Sequence, residues 1–94
     1  MDRDARQLDE VRPDIPLRAV REQVSGLVEL LFVVEPEGMA SGIEVLVADP
    51  PGYGFEAEAR KALQATRFAP AQLDGQPVRQ RYRKAYEFTV QGGR

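Results

Sequence analysis

The chain contains no cysteine, no histidine and no tryptophan. Without cysteine there are no disulfides, no thiolate metal sites and no thiol nucleophile. Without histidine the commonest general base and the commonest transition-metal ligand are both missing. These two absences weigh against catalysis and against a metal centre. Cysteine's absence by itself fits any compartment. No apolar run approaches the roughly 18 residues of a membrane-spanning helix. The residues after Met1, Asp-Arg-Asp-Ala-Arg, lack the apolar core of a signal peptide. The chain is therefore either cytosolic or a piece cut from a longer protein. An excess of one charge is lacking too. Thirteen Lys and Arg against 15 Asp and Glu leave a net charge of −2, and nothing global suggests nucleic acid or an anionic membrane.

What is present suits one domain of 94 residues. A chain of this size buries roughly two thirds of the surface its unfolded form exposes, enough for one modest core. Residues 1–12 are mostly polar and carry only Leu8 and Val11 as larger apolar groups; they read as a linker end. Pro13 and Pro16 punctuate the start of the domain. Pro16 suits the first turn of a helix, where its missing N–H costs nothing. Leu17, Val20 and Val24 recur at helical spacing, and Gly26 is placed to stop that helix.

The run Leu27–Val34 predicts a strand with Val28, Leu30, Phe32 and Val34 on one face. Glu29 marks the other face as the solvent side. Leu31 and Val33 on that side read either as partly covered groups or as a contact surface. Pro36 and Gly38 predict a turn. A second strand follows, with Ile43, Val45 and Val47 on one face and Glu44 and Leu46 on the other. The prolines and glycines of 49–54 end it. Phe55–Thr66 predicts a helix with Phe55, Ala59, Ala62 and Leu63 as its apolar stripe. Phe68 is expected to plug the core, and Leu73–Pro77 to turn. The last strand, Val78–Val90, alternates cleanly; its first half is polar, as befits a sheet edge. Residues 91–94 read as a frayed tail. The predicted class is α+β: a three-stranded antiparallel sheet with two helices packed on one face.

The order of these motifs is informative. A proline-marked helix is followed by Gly-x-Val-x-Leu-x-Phe-x-Val-x-Pro-x-Gly over Gly26–Gly38. Then come a helix opening on Phe55, Arg67-Phe68-x-Pro70-Ala71, Asp74-Gly75-x-Pro77-Val78, and a last strand carrying Phe88. Over Pro13–Val90 this resembles the C-terminal domain of TonB, the energy transducer of the Gram-negative periplasm. One departure stands out: the family's usual Tyr-Pro before the first helix is Ile15-Pro16 here, at a position near the family's receptor-facing region.

The resemblance implies a mechanical function, with no cofactor. A TonB-type protein is anchored in the inner membrane beside a proton-driven motor complex. A Pro-rich linker crosses the periplasm, and the C-terminal domain grips the TonB-box peptide of an outer-membrane transporter. Anchor and linker are not in this sequence, so the chain reads as an excised domain. The receiving edge is the last strand, here Gln80, Arg81, Tyr82, Arg83, Lys84 and Tyr86, with Ile15 and Pro16 nearby. The basic residues read either as a solvated edge that blocks aggregation or as an attraction for an acidic partner. The two tyrosines read chiefly as packing. An open edge also invites self-pairing, and isolated domains of the family can form homodimers. A TolA-like interaction module of another envelope assembly is the alternative. Turn carboxylates such as Glu35, Glu37, Asp49 and Asp74 show no substrate groove, Gly52-Tyr53-Gly54 is no phosphate loop, and the short basic run lacks an aromatic RNA-binding signature.

Overall fold

The computed structural model describes residues 2–91. Its organising element is strand β2 (Gly26–Val34), which alternates as expected. Val28, Leu30, Phe32 and Val34 are fully buried, while Leu27, Glu29, Leu31 and Val33 are half-exposed on the opposite face. A turn leads back into β3 (Ala40–Asp49). There the Glu35 N–H donates to the Met39 carbonyl (2.9 Å) and the Gly38 N–H to the Glu35 carbonyl (2.8 Å). Gly38 has φ +90°, a region L side chains rarely adopt. On the other side of β2 lies β7 (Gln80–Phe88), also antiparallel. The sheet order is β3-β2-β7. Helix α2 (Phe55–Gln64) covers one face through Phe55, Ala59, Ala62 and Leu63, and helix α1 (Leu17–Glu22) reaches the same core through Ala19. The expected α+β arrangement is the observed one.

Two short strand pairs were not foreseen. Strand β1 (Arg6–Gln7) pairs with β4 (Phe68–Ala69), and β5 (Ala71–Leu73) pairs with β6 (Gln76–Val78). The long strand expected over Val78–Val90 is therefore two elements, broken at Arg79 and ending at Phe88. Asp74 and Gly75 both have positive φ (53° and 77°), the two-residue hairpin turn that Asp-Gly favours. That turn commits Val78 to Ala71 before the chain joins the main sheet. Residues 1–12, expected as a linker end, also differ. Besides β1, Arg3 bridges Gln72 and the Leu8 N–H donates to the Arg67 carbonyl (2.8 Å). Of the tail expected at 91–94, residues 92–94 lie outside the described residues.

Strand β3 departs from simple alternation. Its register against β2 shifts between Glu29 and Leu30 and again between Leu31 and Val33. Each shift inserts an extra β3 residue, and Gly42, in the second, takes φ +57°. The first turns Val47 to the solvent face opposite Glu29 and sets Ala48 opposite buried Val28. Val47 thus parts company with Ile43 and Val45, against expectation.

Helix α1 also corrects its expectation. It is six residues long and buries Ala19, leaving Leu17 64% and Val20 46% exposed. With under two turns it presents a spot to the core rather than a stripe. Its stop is Gln23, left-handed at φ 56°, after which the Val24 N–H returns to the Ala19 carbonyl (2.9 Å). Gly26 has a different task. A Cβ there would overlap the ring of Phe55, which lies 4.8 Å, centroid to centroid, from Phe88. The other end of the core is an aromatic triangle of Phe32, Phe68 and Tyr82, with centroids 5.4–5.6 Å apart.

Replacing Gly26→Ala forces Phe55 out of its place. Overpacking of this kind costs about 1–3 kcal/mol. Urea unfolding should show the midpoint falling with an unchanged slope; equal stability of the two proteins would remove the close-approach role.

Candidate docking edge

Strand β7 has one neighbour, β2, among the described residues. It is matched to β2 residue for residue from Gly26↔Phe88 to Val34↔Gln80, with no shift. Its other border is open. Alternation sends Gln80, Tyr82, Lys84, Tyr86 and Phe88 to the core side, and Arg81, Arg83, Ala85 and Glu87 to the uncovered face. All six strand residues singled out from the sequence therefore lie on this one edge, but they point two ways.

The tyrosines are packing groups, as expected. Tyr82 belongs to the aromatic triangle, and Tyr86 is 5% exposed beneath the Lys84 ammonium, 4.9 Å from the ring centroid. Burial raises the Tyr86 pKa, with the Thr66 hydroxyl beside it working the other way. The Thr66 hydroxyl donates to the Ala62 carbonyl (2.8 Å), however, and the Tyr86 oxygen has no hydrogen-bond partner among the described residues. Arg81 and Arg83 are exposed and form no ion pair among the described residues, whereas Arg79 is held by Glu35 at 2.8 Å. The free positive charge of the basic run is thus concentrated on the open strand itself.

Two hollows of about 390 Å³ each lie along the border. One is lined by Lys84–Thr89 on the strand side and by Glu10, Arg12, Pro13 and Ile15 across from it. The other is lined by Gln80–Arg83 and by Asp4 and Ala5. Ile15 therefore meets the strand residues across a groove. Pro16 does not line it; it caps α1, its carbonyl accepting from the Val20 N–H (3.2 Å). Sequence reading missed the wall formed by Glu10, Arg12 and Pro13. Its only local signal is Pro13, which marks extended chain.

Two carboxylates are tuned by their surroundings. The Ser41 hydroxyl, foremost, and then the Arg79 guanidinium hold Glu35 below the usual 4.5. The Tyr53 hydroxyl (2.5 Å), followed by Arg18 (2.9 Å), does the same for Glu22. Arg18 also stacks on Tyr53, 4.6 Å from its centroid, clipping α1 to the 49–54 loop. Among the described residues no acidic cluster could hold a metal ion, and no helix is long and apolar enough to cross a membrane.

A carboxyl whose folded pKa is depressed adds stability that is complete above its unfolded value and lost as pH falls through the folded value. Thermal unfolding followed downward from pH 6 should show stability declining below the usual glutamate value of 4.5. Glu35→Gln should flatten part of that decline and leave neutral-pH curves less stable. An unchanged acid limb would remove the Ser41–Glu35–Arg79 bridge from the account.

Most of the chain is similar to known proteins. Residues 11–90 match the family described as the Gram-negative bacterial TonB protein C-terminal. TonB of Escherichia coli K12 is 32% identical over 65 residues, 69% of this chain; the chain spans only 27% of that protein's length. The solution structure of the Pseudomonas aeruginosa TonB C-terminal domain superposes with TM-score 0.78 at 28% identity, covering 97% of this chain and 91% of the other. A TonB2 protein from Vibrio anguillarum gives 0.68 at 33% identity, covering 96% and 85%.

Proposed function

This chain belongs to the Gram-negative TonB C-terminal family, and from that premise we propose that it is the peptide-docking end of a TonB-type energy transducer. In this reading it works in the periplasm as part of a longer, inner-membrane-anchored protein. It takes up the TonB-box peptide of an outer-membrane transporter as an added strand, and so couples the inner membrane's proton gradient to uptake.

The observation that carries this reading is the contrast between the two borders of the sheet. Strand β3 is interrupted by two register shifts, which twist a ladder and deter a new neighbour. Strand β7 runs nine residues in unbroken register with β2 and offers every second N–H and C=O outward. An extended peptide can bond to such a row through its backbone. Each bond contributes about 1 kcal/mol net, so several together hold under load and still release. Backbone recognition tolerates varied side chains, which suits one transducer serving several transporters. Arg81 and Arg83 favour acidic partner segments. Homodimerisation would use the same border and compete with docking.

The second reading rests on Ile15. It stands on the groove wall where the family usually has tyrosine, and it changes what that wall accepts. A domain so altered fits a TolA-like module docking another envelope protein.

Fluorescence titration with a TonB-box peptide separates the two readings; affinity for other envelope proteins alone would favour the second. Adjacent substitutions Arg83→Pro and Lys84→Pro test the mode. Neighbouring N–H groups point to opposite sides of a strand, so one proline breaks the β2 ladder and unfolds the sheet. The other should leave the fold intact and weaken docking at least about tenfold. Arg81→Ala should weaken it a few-fold, and less so at high salt. Full affinity in the folded proline variant would rule out strand addition.

A further inference from the structure

The border of β7 is not equally open along its length. Across from Gln80–Arg83 stands the amino-terminal arm. The Ala5 N–H donates to the side-chain oxygen of Gln80 (2.6 Å), and the Gln80 side-chain amide donates to Asp4 (3.0 Å). Asp4 and Ala5 thereby line the hollow beside Gln80–Arg83. A strand added to β7 must lie about 4.8 Å from it, in the lane these residues flank. Toward Phe88 the facing wall is Glu10–Ile15; neither wall is joined to β7 by a backbone–backbone hydrogen bond among the described residues, and the arm reaches it through the Gln80 side chain.

The arm is held by small attachments in series. Asp2 and Arg3 both donate to the Gln72 carbonyl (2.9 and 3.3 Å), the Gln72 N–H returns to the Arg3 carbonyl (2.9 Å), and Asp2 accepts from the Gly75 N–H (2.8 Å). Strand β1 is two residues long, and Asp9 accepts from the Arg67 N–H (3.0 Å). Ala5 is the arm's one buried side chain; Arg3, Arg6 and Leu8 are exposed. Mostly exposed hydrogen bonds around a single buried methyl mark a segment that opens well below the cost of global unfolding. The Gly26–Val34 strand, with four buried side chains, opens only with the whole domain.

We propose that Asp2–Asp9 is a releasable strap over the Gln80–Arg83 half of the docking edge. With the strap closed, Asp4 and Ala5 wall the lane beside Gln80–Arg83 and restrict how an incoming peptide seats there. With it released, the full length of β7 accepts a strand, so the strap sets both the length and the affinity of the docked segment. This deepens the docking reading and rests on it for the peptide, but the opening itself is a property of the chain alone.

The chain has no cysteine, so a single staple can be installed cleanly. Arg3 and Gln72 exchange two backbone bonds as an antiparallel pair, a geometry with Cα atoms about 5.5 Å apart that a disulfide spans. The variant Arg3→Cys with Gln72→Cys is compared oxidised and reduced, the reduced form being its own folding control. Two readouts are taken. By amide exchange, the Ala5 and Leu8 N–H groups of the reduced chain should exchange at least about 100-fold faster than those of β2, and oxidation should slow them. By titration with a TonB-box peptide, the oxidised chain should bind at least about tenfold more weakly, and peptide should speed Ala5 exchange in the reduced chain. Ala5 exchanging only with the core would overturn the strap whatever the peptide does. Equal peptide affinity in both forms would overturn its effect on docking. Peptide binding to neither form, with Ala5 still opening early, would sink the docking reading and leave a releasable strap standing.

Discussion

Everything in this fold is placed by the inner face of β2. Four side chains at period two, Val28, Leu30, Phe32 and Val34, are fully buried. Burying them stabilises the domain by roughly 1.5–3 kcal/mol apiece. A slip of one residue would turn all four to water, so the register with β7 is strongly constrained. Strand β7 follows β2 without a shift, whereas β3 does not, and the far side of β7 is unpaired among the described residues. The border proposed for docking is thus the one that the core leaves in unbroken register.

Glycine and aromatic residues do the complementary work at the two ends of the sheet. Gly26 lets Phe55 lie against the start of β2, and Phe55 in turn meets Phe88. At the other end Phe68 closes on Phe32 and Tyr82, and its N–H donates to the Gly38 carbonyl (2.9 Å). These contacts clamp β7 at both Tyr82 and Phe88. On the docking proposal, an edge held by its own side chains keeps free the backbone bonds that a second strand would occupy. Tyr82 and Tyr86 pack beneath the strand, and on that proposal they would serve docking only indirectly.

Much of this was legible in the residues. Strict alternation in Leu27–Val34, the stripe of Phe55, Ala59, Ala62 and Leu63, and the polar first half of the last strand each state one local preference, and the structure obeys all three. The misses share a cause: they depend on residues far apart in the chain. Val47 turns outward because β3 must gain residues to follow β2, which no pattern within β3 records. Leu17 and Val20 keep helical spacing, yet Ala19 is the helix residue that meets the core. The arm's attachments are hydrogen bonds between residues 58 to 76 apart in sequence, and the polar composition of residues 1–12 gives no sign of them. The last strand read as an edge because its polar first half is a local feature, and its receiving role came from the family resemblance; the groove wall was missed because it comes from the other end of the chain.

The central claim is that another polypeptide joins this domain as a strand beside β7. Residue-resolved amide exchange of the sheet, with and without a saturating TonB-box peptide, tests it most directly. The account predicts new protection at every second amide of β7, strongest over Lys84–Phe88, with β3 unchanged. Protection on β3, a uniform effect along both borders, or binding that leaves the β7 amides untouched would contradict it.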